Sequence, residues 1–139
     1  SKKVYIFLAD GFEDIEPDRI DLMRRAGIDI ETVSIKESNE ITTSHGIMMK
    51  TEELFTGTDF SDADMLVLPG GMPGTKYLGE YQPLCDLLRD FYGKSGKVAA
   101  ICAAPTVLAS LGFLEGRKAT AYPSCMEGLT GAERLMRVL

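Results

Sequence analysis

The chain alternates short apolar runs with longer stretches of helical periodicity, and that order leaves few folds open. Lys3–Ala9 (KVYIFLA) is β-branched and aromatic and stops at Asp10-Gly11, as a strand buried on both faces does. Asp29–Ile35 (DIETVSI) alternates as a second strand, and Met65–Pro69 (MLVLP) is a third, closing on Gly70-Gly71. Val98–Cys102 (VAAIC) is a further apolar run, and Ala119–Ala121 begins another. Between these runs Pro17 suits a first helical turn, with Ile20, Met23 and Arg24 ahead of Gly27 as a stop. Leu84, Leu87, Leu88 and Phe91 recur at i, i+3, i+4 and i+7, and Ala103–Leu111 reads as a helix ended by Gly112. Ile41–Thr43 and Ile47–Lys50, parted by Ser44-His45-Gly46, predict a small hairpin. Strand and helix in alternation predict parallel βαβ units, hence a three-layer α/β/α sandwich on a mostly parallel sheet.

Composition narrows the function. The 139 residues suit one domain, 1–139, with no linker, repeat or low-complexity segment. The net charge is −6 and no Lys/Arg run exceeds a pair, which disfavours nucleic acid as a partner. The apolar stretches fall far short of the roughly 20 residues that span a bilayer, so no membrane association is expected. Val4–Ala9 runs straight into Asp10 and is too short for a signal-peptide core. Three cysteines, an odd number, point to a reducing, cytoplasmic setting and not to a disulfide framework. The single histidine, His45, excludes a multi-histidine metal site.

In an open α/β sheet, sites lie beyond the carboxyl ends of the strands. That rule selects the acidic segment Asp10–Glu16, the pair Gly70-Gly71, the turn at Cys102-Ala103, and Tyr122. Cys102 ends a strand and leads at once into a helix with Pro105 in its first turn, and Ala100 and Ala104 supply the small neighbours a sharp turn requires. A helix N-terminus there favours thiolate, and the Ala103 N–H is a natural oxyanion donor. A buried structural cysteine fits the same pattern equally well. Cys85, on a helix flank, reads as structural. Cys125, in a loop past a strand end, is either near the cleft or simply exposed.

Within the acidic segment, Glu13 and Asp14 fit ordinary first-turn acids. Glu16, between Ile15 and Pro17, is placed to point inward, where burial beside a thiolate would keep its carboxyl protonated and able to move protons. Gly70-Gly71-Met72-Pro73-Gly74-Thr75-Lys76 is not a phosphate loop: three residues, not four, part Gly70 from Gly74, and Thr and Lys stand in the wrong order. The glycines instead imply close backbone approach, with the Gly71 N–H facing the cleft.

Together these segments resemble the ThiJ/PfpI family of the class I glutamine amidotransferase-like superfamily, which includes protein deglycases and small-carbonyl glyoxalases. The matching residues are Ala9–Glu16, Met23–Gly27, Leu68–Gly74, Ala99–Pro105 and Ala119–Pro123, spread from the N-terminus to about Gly131. The resemblance implies a flavodoxin-like fold, no cofactor, and a homodimer. It assigns Cys102 as the reactive cysteine and Glu16 as the protonated glutamate that hydrogen-bonds its sulfur. It also assigns Gly71 and Ala103 as backbone donors, with Gly70 and Tyr122 lining the cleft. Oxidation of the equivalent cysteine to sulfinate is a family trait.

The sequence departs from the family in three places. Tyr122 stands where many members carry histidine, which removes a Cys–His dyad and disfavours the protease-like branch. His45 falls in the hairpin, either as a solvated loop residue or as a basic residue near a dimer interface. The family normally continues with another strand, a Gly/Pro-rich turn and a C-terminal helix. Here Leu135, Met136, Val138 and Leu139 read as a helix end, so C-terminal elements are expected to be missing, either as a segment between Glu133 and Arg134 or by truncation. The expected function is a cysteine-dependent enzyme acting on a small carbonyl substrate. The alternative is an oxidation-sensing or chaperone-like stress protein in which Cys102 is modified rather than catalytic.

Overall fold

The structure is a computed structural model that describes residues 2–13, 16–101, 103–116, 118–119 and 127–134, without the side chains of 16–19, 118–119 and 134. Its centre is a five-stranded, all-parallel sheet ordered β5-β2-β1-β6-β7. The strands are β1 (Lys3–Leu8), β2 (Asp29–Ser34), β5 (Glu53–Leu54), β6 (Met65–Leu68) and β7 (Lys97–Ala100). A separate antiparallel hairpin joins β3 (Glu40–Thr42) to β4 (Met48–Lys50), and β8 (Lys118–Ala119) pairs with β9 (Glu133–Arg134).

The side-chain period of a strand sorts β1 into two faces. Tyr5, Phe7 and Ala9 face one layer with Leu66, Leu68 and Val33. Helices α2 (Gly74–Glu80), α3 (Gln82–Gly93) and α4 (Pro105–Ser110) cover that side through Leu78, Leu84, Leu88, Val107 and Leu108. Val4, Ile6 and Leu8 face the other way, against Ile20 of α1 (Glu16–Arg25), Ile30, and Ile41 of the hairpin. A strand with both faces covered must be apolar throughout, which is why KVYIFL does not alternate. On the first side Phe7 packs against Phe55 and Phe60 at centroid distances of 5.9 and 5.5 Å, and Tyr5 meets Phe60 edge-on at 5.0 Å.

The sequence-based elements stand at nearly their expected limits. Gly27 ends α1 with φ +88° in a Schellman arrangement: the Ile28 N–H donates to Met23 O and the Gly27 N–H to Arg24 O. The helix expected over Ala103–Leu111 is shorter, with Ala103 and Ala104 forming a turn before α4. Three elements carry no sequence signal. α2 has only Gly74, Thr75 and Leu78 buried, too few for a periodic face, and exists because it packs on α3 and α4. β5 and β9, at two residues each, are too short for any pattern to show.

Because Phe7 is fully buried at the sheet centre, Phe7→Ala should lower unfolding free energy by about 3–5 kcal/mol. Urea denaturation followed by circular dichroism measures it.

Candidate active site

The strand order reverses at β1. One branch of the chain runs outward through β2 and β5, the other through β6 and β7. Such a switch point opens a crevice beyond the carboxyl ends of the two central strands. Here the segments after β1 and β6 close on each other, and the open space lies between the segment after β6 and the turn after β7, lined by Met72 and Ala103.

The segments after β1 and β6 interlock through glycine. Gly71 has φ +97°, and a Cβ there would stand 2.7 Å from the Phe12 carbonyl carbon. A Cβ on Gly11, at φ +87°, would lie 2.8 Å from Pro73 N, and one on Gly74 would lie 2.8 Å from Phe12 N. The Glu13 N–H donates to Gly70 O at 3.1 Å across the gap. This is the close backbone approach expected of Gly70-Gly71.

That bond also aims the next donor. The Gly70–Gly71 peptide is trans, since the one cis bond recorded is Met72–Pro73. In a trans peptide the C=O and N–H point in opposite directions. With Gly70 O held toward Glu13, the Gly71 N–H points away from β1, the side on which β7 lies. The Gly71 carbonyl is separately fixed by the Thr75 N–H at 2.9 Å and the Thr75 hydroxyl at 2.8 Å. At the end of β7 the Ala104 N–H donates to Ile101 O at 3.0 Å, and the Thr106 hydroxyl donates to Ala103 O at 2.7 Å. No described residue accepts from the Gly71 or Ala103 N–H. Leu68 and Ala100 pair directly in the sheet, so both unengaged donors sit on tips of neighbouring strands.

The acidic loop is held from its other side by the hairpin. Gly11 N–H donates to Thr42 O at 2.7 Å and Ser44 N–H to Phe12 O at 2.9 Å. Asp10 closes the contact, accepting from the Thr42 N–H at 3.0 Å and the Lys36 ammonium at 3.1 Å. Partial burial opposes ionisation of Asp10, but the Thr42 bond and the Lys36 charge outweigh it and hold the carboxyl below its ordinary range. Sequence reading grouped Asp10 with the loop's acids and missed this latch. Its partners lie 26 and 32 residues away, beyond any local pattern.

Of the expected site residues, Gly70, Gly71 and Ala103 are buried at the crevice. Glu16 opens α1, the helix that follows the acidic loop, but its side chain lies outside the described residues, as do Cys102, Tyr122 and Cys125. His45 is exposed at the hairpin turn, with the Ser44 hydroxyl 3.3 Å from its Nδ1. Cys85 is buried, its thiol donating to Gly79 O at 3.5 Å. Burial pushes that thiol up, opposite to the shift an activated cysteine needs. Among the described residues no group of three His, Cys, Asp or Glu could hold a metal ion, and no helix is long and apolar enough to cross a membrane.

Comparison with known proteins finds relatives over nearly the whole chain. The model of the DJ-1/PfpI family matches residues 2–136. The Drosophila melanogaster protein dj-1beta is 36% identical over 125 residues, covering 89% of this chain and 67% of that protein. Protein DJ-1 homolog B of Arabidopsis thaliana is 37% identical over 131 residues, covering 93% of this chain but only 30% of its own length. The chain therefore spans from about a third to two thirds of these curated relatives. The crystal structure of Drosophila DJ-1beta superposes with TM-score 0.90 at 34% identity, over 97% of this chain and 74% of that one. Oxidized Toxoplasma gondii DJ-1 gives 0.85 at 31%, over 92% and 71%.

Gly71→Ala forces a left-handed residue and a backbone clash with Phe12, so it should cost about 1–3 kcal/mol or more in urea unfolding. A value within error of wild type would contradict the interlock. For Asp10 the folded pKa is depressed, so its stabilisation is present above the unfolded value of about 3.9 and is lost as pH falls through the folded value. Asp10→Asn should flatten the acid limb of the stability-versus-pH curve; an unchanged limb would show that the latch carries no linkage.

Proposed function

The chain belongs to the DJ-1/PfpI family, and on that premise we propose that it is a cysteine-dependent enzyme acting on small 2-oxoaldehydes. The observation that supports this reading is that the Gly71 and Ala103 N–H groups find no acceptor among the described residues, Ala103 being next to Cys102 in sequence. Two N–H groups with no acceptor among the described residues, past the carboxyl ends of adjacent strands, are suited to a developing oxyanion, and Cys102 is the nucleophile in this reading.

In the proposed reaction the Cys102 thiolate adds to the aldehyde carbon and forms a C–S bond. The carbonyl π pair moves to oxygen, where the two N–H groups receive it. Glu16 gives its carboxyl proton to the neighbouring carbonyl oxygen, takes the proton from the first carbon, and returns that proton to the second carbon as the oxyanion collapses to the thioester carbonyl, so the first carbon is oxidised as the second is reduced. The carboxyl regains its own proton when the product acid ionises. The resulting thioester is cleaved by water, which releases a 2-hydroxy acid and restores the thiol. No external oxidant or cofactor enters the balance.

A second reading keeps the same thiolate and ends with its oxidation. It is favoured by the relative described as oxidized Toxoplasma gondii DJ-1 and by Tyr122 standing where a histidine base would otherwise act. Under mild peroxide this reading expects two oxygens added at Cys102 before Cys85, measured by intact mass and peptide mapping.

The enzyme reading is tested with glyoxal and methylglyoxal, following appearance of the hydroxy acids. Cys102→Ser should abolish turnover, and Glu16→Gln should lower kcat by about 10²–10⁴. Equal rates in wild type and Cys102→Ser would overturn it.

A further inference from the structure

Beside the crevice a groove of about 380 Å³ runs between α2 and α4. Met72, which is exposed, and buried Ala103 line it together with Thr75 and Gly79 on one side and Thr106, Val107 and Gly128 on the other. Met72 directly follows one proposed oxyanion donor, and Ala103 is the other. A carbonyl oxygen accepting from those two N–H groups therefore has its substituent at the mouth of this groove.

The wall chemistry restricts what the groove can take. The Thr75 hydroxyl is spent on Gly71 O at 2.8 Å, Thr106 on Ala103 O at 2.7 Å, and Ser110 on Val107 O at 2.7 Å. Each O–H is turned onto the backbone one turn back, so the surface left to a ligand is formed by methyl groups, Val107 and the Met72 side chain. The charged lining residue, Lys76, is exposed at the rim.

Gly79 carries the argument further. It lies within helix α2, where glycine is less favourable than alanine. Its φ is not left-handed, the helix cap is Tyr81, and among the described residues a Cβ at Gly79 would meet only Val107 Cγ2, at an ordinary 3.5 Å. No backbone or packing requirement explains a glycine here. A side chain at this position would, however, project between α2 and α4 and fill the groove.

We propose that this groove is a specificity pocket for the alkyl substituent of the substrate, with Gly79 keeping it open. It follows that the preferred substrates are 2-oxoaldehydes bearing a short aliphatic chain, rather than glyoxal. This rests on the carbonyl reading above and adds the substrate class.

The test compares methylglyoxal, 2-oxobutanal and 2-oxopentanal, whose reacting centres differ little, with wild-type protein. The value of kcat/KM should rise about fourfold for each methylene that enters the groove. In Gly79→Leu the ratio of 2-oxopentanal to methylglyoxal should fall to about one, with Gly79→Ala intermediate. A flat series in wild type with all three aldehydes turned over would overturn the pocket while leaving the carbonyl reading intact. No turnover of any aldehyde would overturn the carbonyl reading and the substrate class with it. A rising series unaffected by Gly79→Leu would overturn the role of Gly79 and of the groove.

Discussion

The close approach of two backbone segments, Gly11–Glu13 and Gly70–Gly74, organises the functional end of this protein. Three glycines permit it, because each missing Cβ is replaced by backbone or ring atoms of the opposite segment. The Glu13–Gly70 hydrogen bond then fixes a peptide plane, and through that plane the direction of the Gly71 N–H. The donor is thus aimed by backbone geometry and not by a side chain, so it costs no side-chain entropy to hold in place.

This arrangement depends in turn on the apolar layers beneath it. β1 lies between β2 and β6 with both faces covered, and Phe7 and Leu8 are fully buried one on each face. A rigid central strand delivers Asp10 and Gly11 to a defined height, where the hairpin grips them through Thr42 and Lys36. The acidic loop is therefore clasped on two sides: by the β6 turn and by a hairpin that takes no part in the main sheet. Helices α2 and α4 leave a groove beside this end of the sheet, lined by Thr75, Gly79, Thr106 and Val107.

Much of the architecture was legible locally. KVYIFL, DIETVS and MLVL are strands because their apolar pattern has no other way to be buried, and Gly27 ends α1 because only a left-handed residue closes that Schellman turn. Gly70-Gly71 was legible as close backbone approach, because glycines directly after a buried strand leave room for a facing segment. Cys85 was legible as structural from its helix face. What escaped the pattern was α2, which has too few buried residues to show a period, and the Asp10 latch, whose partners are remote in sequence.

By itself, the sequence determined the layered α/β architecture and the limits of most strands and helices. These follow from hydrophobic periodicity and turn chemistry, which act over a few residues and need no knowledge of the partner segment. Only the tertiary structure decided how closely Gly11–Glu13 approaches Gly70–Gly74, where Asp10 finds its cation, and which side chains line the groove between α2 and α4. Each of those depends on segments brought together from distant parts of the chain, and no local pattern encodes the distance between them.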